Sequence, residues 1–103
     1  MSGSLSDLAG MDRVIHEPAR LMLVTLLYAV EGADFLYLLR ESGLTKGNLS
    51  THLSRLEQAE YIRVEKTFRG KIPRTLIGLT PQGRAAFETY RQQLKRVVEA
   101  TSH

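Results

Sequence analysis

The 103-residue chain has no cysteine and no tryptophan. Without cysteine there is no disulfide framework and no thiolate metal site, and a reducing, cytoplasmic setting is the expectation. Only His16, His52 and His103 could supply imidazole ligands, and none stands at ligand spacing from a second histidine or a paired carboxylate. No metal is expected on that ground. Long hydrophobic runs are missing as well. The longest, Leu21–Val30, is interrupted by Thr25 and falls far short of the ~20 residues of a membrane span. The N-terminus is polar and has no basic stretch followed by an apolar one, so no secretory signal is expected. A glycine-rich phosphate loop, a Ser-His-Asp pattern and a close carboxylate pair are all lacking, which excludes the usual outlines of an enzyme or of a cofactor site.

What is present is unevenly distributed. The net charge is a modest +3. Residues 45–75 hold seven bases (Lys46, Arg55, Arg63, Lys66, Arg69, Lys71, Arg74) against three acids (Glu57, Glu60, Glu65), while the rest of the chain is close to balanced. All the excess positive charge therefore lies in one segment, which suits a polyanionic partner for that segment. The length fits one domain that buries ~65% of its unfolded surface, a modest core.

Periodicity and capping signals predict the order of elements. Ser6–Val14 reads as a first helix, capped by Ser6 or Asp7, with Leu8, Met11 and Ile15 on one side and Gly10 weakening it. Pro18 then opens a helix over Ala19–Val30 that is apolar nearly all round and so belongs in the middle of the fold. Ala33-Asp34-Phe35 reads as a short strand and Leu36–Ser42 as a two-turn helix stopped by Gly43. Thr45 is an N-cap for a helix running to about Ala59. Alternation predicts strands over Tyr61–Phe68 and Arg74–Leu79, joined by Arg69-Gly70-Lys71-Ile72-Pro73. Thr80-Pro81 opens a last helix running to about Glu99.

The fold class is thus mostly α with a small β-hairpin (α+β). On the segments EPARLMLVTLL, DFLYLLRESGLTKGNLSTHLSRLEQAEYI, VEKTFRGKIPRT and LTPQGRAAF, in that order, the chain resembles the winged helix-turn-helix regulators of the MarR and ArsR type, over roughly residues 12–90. The resemblance implies a single DNA-binding domain over residues 1–103. Within it, 6–30 would form N-terminal helices, 36–60 the helix-turn-helix, 61–79 the wing and 81–99 a dimerisation helix. It also implies double-stranded DNA as partner, a homodimer, and a transcriptional regulator, more specifically a repressor on a palindromic operator. Small-molecule effectors occur among such proteins, but no polar cluster marks a site for one here.

The reader helix can be laid out from its own residues. With Leu49 at the centre of the inner face and ~100° per residue, Leu53 and Leu56 fall beside it. Gly47, Thr51, Ser54 and Gln58 fall on the opposite side, flanked by Asn48 and Arg55. Amide, hydroxyl and guanidinium groups are the ones that read base edges. The candidate DNA-binding residues are Thr45, Lys46, Gly47, Asn48, Ser50, Thr51, Ser54 and Arg55 on the helix, and Arg69, Gly70, Lys71 and Arg74 on the wing. The helix would enter the major groove and the wing would lie on the backbone or in the minor groove. A solvated polar face and a charged hairpin end are the plainer alternatives. His52, at the border of the inner face, either packs or touches DNA. Glu60 stands where the family usually has Gly, so the helix is expected to end differently and aim the wing at another angle.

On the last helix Phe87, Tyr90, Leu94 and Val97 form an apolar stripe. With Leu5 and Leu8 in support, they are the candidate dimer seam, unless the stripe folds onto the chain's own core. A winged helix can also serve as a protein-interaction module without DNA binding, which would show as apolar anchors on the reader helix or wing; Ile72 alone qualifies there.

Overall fold

A computed structural model describes residues 8–102. The elements are α1 (Pro18–Tyr28), β1 (Ala33–Asp34), α2 (Phe35–Ser42), α3 (Lys46–Gln58), β2 (Ile62–Arg69), β3 (Ile72–Leu79) and α4 (Pro81–Ala100). The strands form an antiparallel sheet in the order β1-β3-β2. Each helix begins at a side-chain cap, at Thr45 and Thr80 as the sequence implies and at Glu17 and Asp34 besides. Glu17, Asp34, Thr45 and Thr80 accept backbone N–H bonds from Arg20, Tyr37, Asn48 and Gly83 respectively. Such side-chain acceptors satisfy first-turn donors that have no partner within the helix. Gly43, at φ 68°, ends α2 in the left-handed conformation that glycine adopts without penalty.

The expected helix over Ser6–Val14 is not formed by its described part. Residues 8–17 run as consecutive turns instead. Asp12 explains this: its carboxylate accepts from the N–H groups of Val14 (2.8 Å) and Ile15 (3.3 Å), a local bond that competes with helix. The turn still inserts Met11 and Ile15 into the core, the job assigned to them as helical residues. Ser6 and Asp7, the candidate caps, lie outside the described residues.

The core gathers Ile15, Leu23, Val24, Leu27, Leu38, Leu49, Leu56 and Ile77, all with less than 2% exposure. α1 is central, as its apolar surround implies, but it also buries Arg20. That guanidinium is satisfied by the carbonyls of Val14 (2.6 Å) and Arg13 (3.4 Å) and by His52 Nδ1 (3.1 Å). Because arginine only donates, His52 Nδ1 accepts and the ring proton belongs on Nε2. His52 thereby joins α3 to α1 through the buried Arg20.

The end of α3 overturns the expectation for Glu60. The N–H of Glu60 donates to Glu57 O (2.9 Å) and that of Tyr61 to Leu56 O (3.0 Å), the paired bonds of a Schellman stop, with Glu60 left-handed at φ 64°. The helix therefore ends as a glycine-stopped one would, and Glu60 bears the strain. Glu60→Gly is expected to raise stability by ~1 kcal/mol, because a side chain in this region costs about that much. A urea titration with unchanged m-value would check it; no gain would mean that Glu60 makes an offsetting interaction.

Just beyond, α3 and α4 are tied together. Thr80 donates its N–H to Tyr61 O (3.0 Å) and its hydroxyl to Glu60 O (2.7 Å), while the same hydroxyl caps α4 through Gly83 N (2.9 Å). Gly83 lies so close to Tyr61 that a β-carbon there would sit 2.0 Å from its carbonyl oxygen. Tyr61 is also fixed from its far end, where its hydroxyl donates to the Asp12 carboxylate. Burial and that carboxylate push the phenol up to about 12.

Candidate nucleic-acid interface

α3 presents the two faces that the sequence implies. Leu49, Leu53 and Leu56 are buried. Thr45, Lys46, Gly47, Asn48, Ser50, Thr51, Ser54 and Arg55 are all exposed. Two of these hydroxyls are partly committed. Thr45 Oγ1 accepts from Asn48 N at 3.1 Å, and Thr51 donates to Gly47 O at 3.0 Å. Thr45 is thus chiefly a cap, and Thr51 offers its methyl and its lone pairs outward. Around Gly47 a β-carbon would meet nothing within 4 Å. No packing among the described residues requires glycine in this first turn, although glycine costs ~1 kcal/mol there against alanine. The room is on the outside, where a partner's backbone would approach.

The wing is a hairpin with its strands in register from Ile62↔Leu79 to Arg69↔Ile72. Its tip is tighter than expected: Gly70-Lys71 is a two-residue turn, and Ile72 and Pro73 belong to β3. Gly70 at φ 65° occupies the first central position, the arrangement of a type II′ turn, which matches strand twist. Arg69 and Lys71 are exposed at this tip. Arg74, grouped with them from the sequence, is placed differently. It is half-buried, with its Nε 3.8 Å from the Asp34 carboxylate that also caps α2. Arg74 braces the wing against the start of α2, and the free cationic end of the wing is Lys66, Arg69 and Lys71.

The sequence singles out Ile72 as an apolar anchor on the wing but not its neighbour across the turn, Phe68. Phe68 is 69% exposed beside the tip, as is Ile72 at 70%. The signal for Phe68 was the strand period: it shares a face with Ile62 and Val64, and that face runs out past the core beyond Lys66.

The candidate dimer stripe is divided. Phe87 (6%) and Tyr90 (2%) are buried in the chain's own core, against Tyr28 and His16 respectively. Leu94 is 39% exposed, Val97 is half-buried, and Val98 (55%) and Leu8 (48%) are open. Leu5 lies outside the described residues. Among the described residues no helix is long and apolar enough to cross a membrane, and no three metal-ligating side chains come together.

Among the described residues, four helices with a three-stranded antiparallel sheet, its last two strands in sequence projecting as a hairpin after the second helix of a helix-turn-helix, define a winged helix fold. The chain belongs to the winged helix DNA-binding domain family, whose model matches residues 19–98. It is 34% identical over 79 residues, 76% of this chain and 85% of the other, to an uncharacterized protein of Methanocaldococcus jannaschii. Among solved structures, a transcriptional regulator homologue from Pyrococcus horikoshii OT3 superposes with a TM-score of 0.89, at 24% identity over 96% of this chain and all of that one. A MarR family regulator from Porphyromonas gingivalis W83 does so with a TM-score of 0.67, at 18% identity over 84% of each chain. At these identities the two structures establish the likeness of fold.

Proposed function

We propose that the protein is a sequence-specific, duplex-DNA-binding transcriptional regulator, a repressor that works as a homodimer on a palindromic operator. The observation that carries this reading is the exposed, small and hydrogen-bonding face of α3 next to a wing whose free end is cationic, with no acid between Lys66 and Leu79. α3 would lie in the major groove, where Asn48 suits adenine and Arg55 suits guanine. Arg69 and Lys71 would hold phosphates, and α4 would join two chains through the apolar side chains it leaves exposed. Two readers about one helical turn apart, ~34 Å, supply the specificity that one half-site lacks.

Titration of duplex genomic fragments at several salt concentrations tests the reading. If a dimer neutralises about six phosphates, the log–log salt slope should be near −5. Asn48→Ala should change base preference at particular positions by ~1–3 kcal/mol. Arg69→Ala should instead weaken all sequences alike and flatten the slope by about one unit per protomer. Absence of any salt-dependent binding well above ~10 µM protein would dispose of DNA binding as the function.

Gly47 gives a second, independent measurement. Gly47→Ala is expected to stabilise the free domain by ~0.5–1 kcal/mol, since the added methyl meets nothing and alanine favours helix. The same methyl should weaken DNA binding by holding the helix off its partner. Thermal melting and a binding titration on one variant separate the two effects; tighter or unchanged binding would place the groove contact elsewhere on α3.

A further inference from the structure

We propose that the wing tip is an apolar wedge: Phe68, with Ile72 behind it, enters the minor groove and opens a base step while Arg69 and Lys71 hold the flanking phosphates. The inference rests on the DNA-reading role of α3 proposed above and adds a second, different mode of sequence selection to it.

Register, exposure, stiffness, charge and reach all lead there. Register pairs Phe68 with Pro73 on one face of the ribbon and Arg69 with Ile72 on the other, so apolar groups project on both sides of the tip. Both Phe68 and Ile72 are about 70% exposed (69% and 70%), and no part of the core reaches them. A scattered surface leucine needs no explanation, but an aromatic and a β-branched residue flanking the same turn form a shaped projection. The projection is also stiff. Pro73 fixes its own φ opposite Phe68, and Gly70 closes the turn in two residues.

Charge then selects the occupant. The apolar tip is collared by Lys66, Arg69 and Lys71, and the chain has no acid from Lys66 to Leu79. A protein partner would have to supply several acids around a patch far smaller than the ~800 Å² that each side of a stable interface contributes. A nucleic-acid groove has the required form, with anionic rims around stacked, apolar base faces.

Reach agrees. Eight residues of β2 at ~3.3 Å each carry the tip ~26 Å from the base of the sheet, and that base is joined to the end of α3 by Ala59-Glu60-Tyr61. From a major groove occupied by α3, the neighbouring minor groove is half a helical repeat away, ~17 Å. The minor groove is only ~6 Å wide, so a ribbon bearing a phenyl ring cannot enter without widening it, and apolar side chains that do so unstack a base step and kink the duplex. Pyrimidine–purine steps yield most readily. A preference for TA or CA/TG is therefore expected about five base pairs from the centre of the α3 contact, at a position where the wing makes no base-edge hydrogen bond.

The experiment uses the full chain and duplexes that the wild-type protein itself enriches from a randomised pool. In those duplexes 2-aminopurine replaces adenine one position at a time, and end-labelled versions report bending by energy transfer. Wild-type protein should raise 2-aminopurine fluorescence several-fold at one step per half-site and shorten the end-to-end distance. Phe68→Ser should abolish both signals, lose the step preference when the selection is repeated, and weaken binding by about tenfold with the salt slope unchanged. Phe68→Leu should restore part of the signal. If wild-type protein binds with the expected salt dependence but no position responds, and Phe68→Ser enriches the same sequences, the wedge is wrong and the α3 reading stands. If wild-type protein binds no duplex, both fail. Binding to phosphatidylserine-rich vesicles that Phe68→Ser removes, with DNA binding untouched, would assign the tip to a lipid surface and overturn the proposal.

Discussion

Gly83→Ala should cost the fold about 3 kcal/mol or more, at the upper end of what an extra methyl does in a packed site. The added carbon would stand 2.0 Å from the carbonyl oxygen of Tyr61 and within 2.9 Å of its Cα, so the obstacle is main chain and cannot rotate away. Relief would require α4 to withdraw from the end of α3, breaking the Thr80–Tyr61 and Thr80–Glu60 bonds together. For a domain of this size, a loss of ~3 kcal/mol lowers the melting temperature by roughly 12–24 °C. Gly47→Ala, the same chemical change in open space, is its internal control and has the opposite sign. If Gly83→Ala melts within a few degrees of the wild type, the approach of α4 to Tyr61 is looser than described.

The second large effect concerns assembly. Leu94→Glu should leave the chain folded, because Leu94 is 39% exposed, yet convert a dimer into a monomer if it lies between α4 helices. Burying an unpaired carboxylate between chains costs several kcal/mol. Operator binding should fall by a factor on the order of 10²–10⁴, the advantage that linking two readers provides. Sedimentation, circular dichroism and a DNA titration on one preparation check the three parts. A wild type that sediments as a monomer at micromolar concentration would end the dimer proposal. The burial of Phe87 and Tyr90 in the chain's own core sharpens the design, since charges placed there would unfold the domain and say nothing about pairing.

These expectations draw unequally on sequence and structure. Several features governed by short-range rules were legible in the sequence: the caps at Thr45 and Thr80, the Gly43 stop, and the separation of Leu49, Leu53 and Leu56 from the exposed face of α3. The misreadings arose where a side chain acts on the backbone or a contact spans the chain. Asp12 turned a plausible helix into turns by binding two nearby N–H groups. Glu60 accepted a left-handed conformation because the bonds around it, including one from Thr80, hold it there. The wing cation Arg74 found an acid forty residues earlier, at Asp34, which no local pattern announces. On α4 a single helical period runs through Phe87, Tyr90, Leu94 and Val97, and it does not announce that the first two are buried, Val97 packs against the core and Leu94 meets solvent.

The junction at Tyr61 and Thr80 has a further consequence. Because these residues are hydrogen-bonded to each other, the 62–79 excursion between them leaves and returns at one point. The junction of α3 and α4 is held below that point by Glu60, Thr80 and Gly83, while the base of the hairpin above it is anchored by the buried Ile62 and Ile77 and by the pairing of β3 with β1. Doubling the length of such a closed excursion adds only ~0.6 kcal/mol of closure entropy. Beyond that anchored base, between Lys66 and Pro73, tips of other lengths could therefore be exchanged without moving α3 relative to α4. Variation can accumulate at the tip of the wing while the frame of the molecule stays constant.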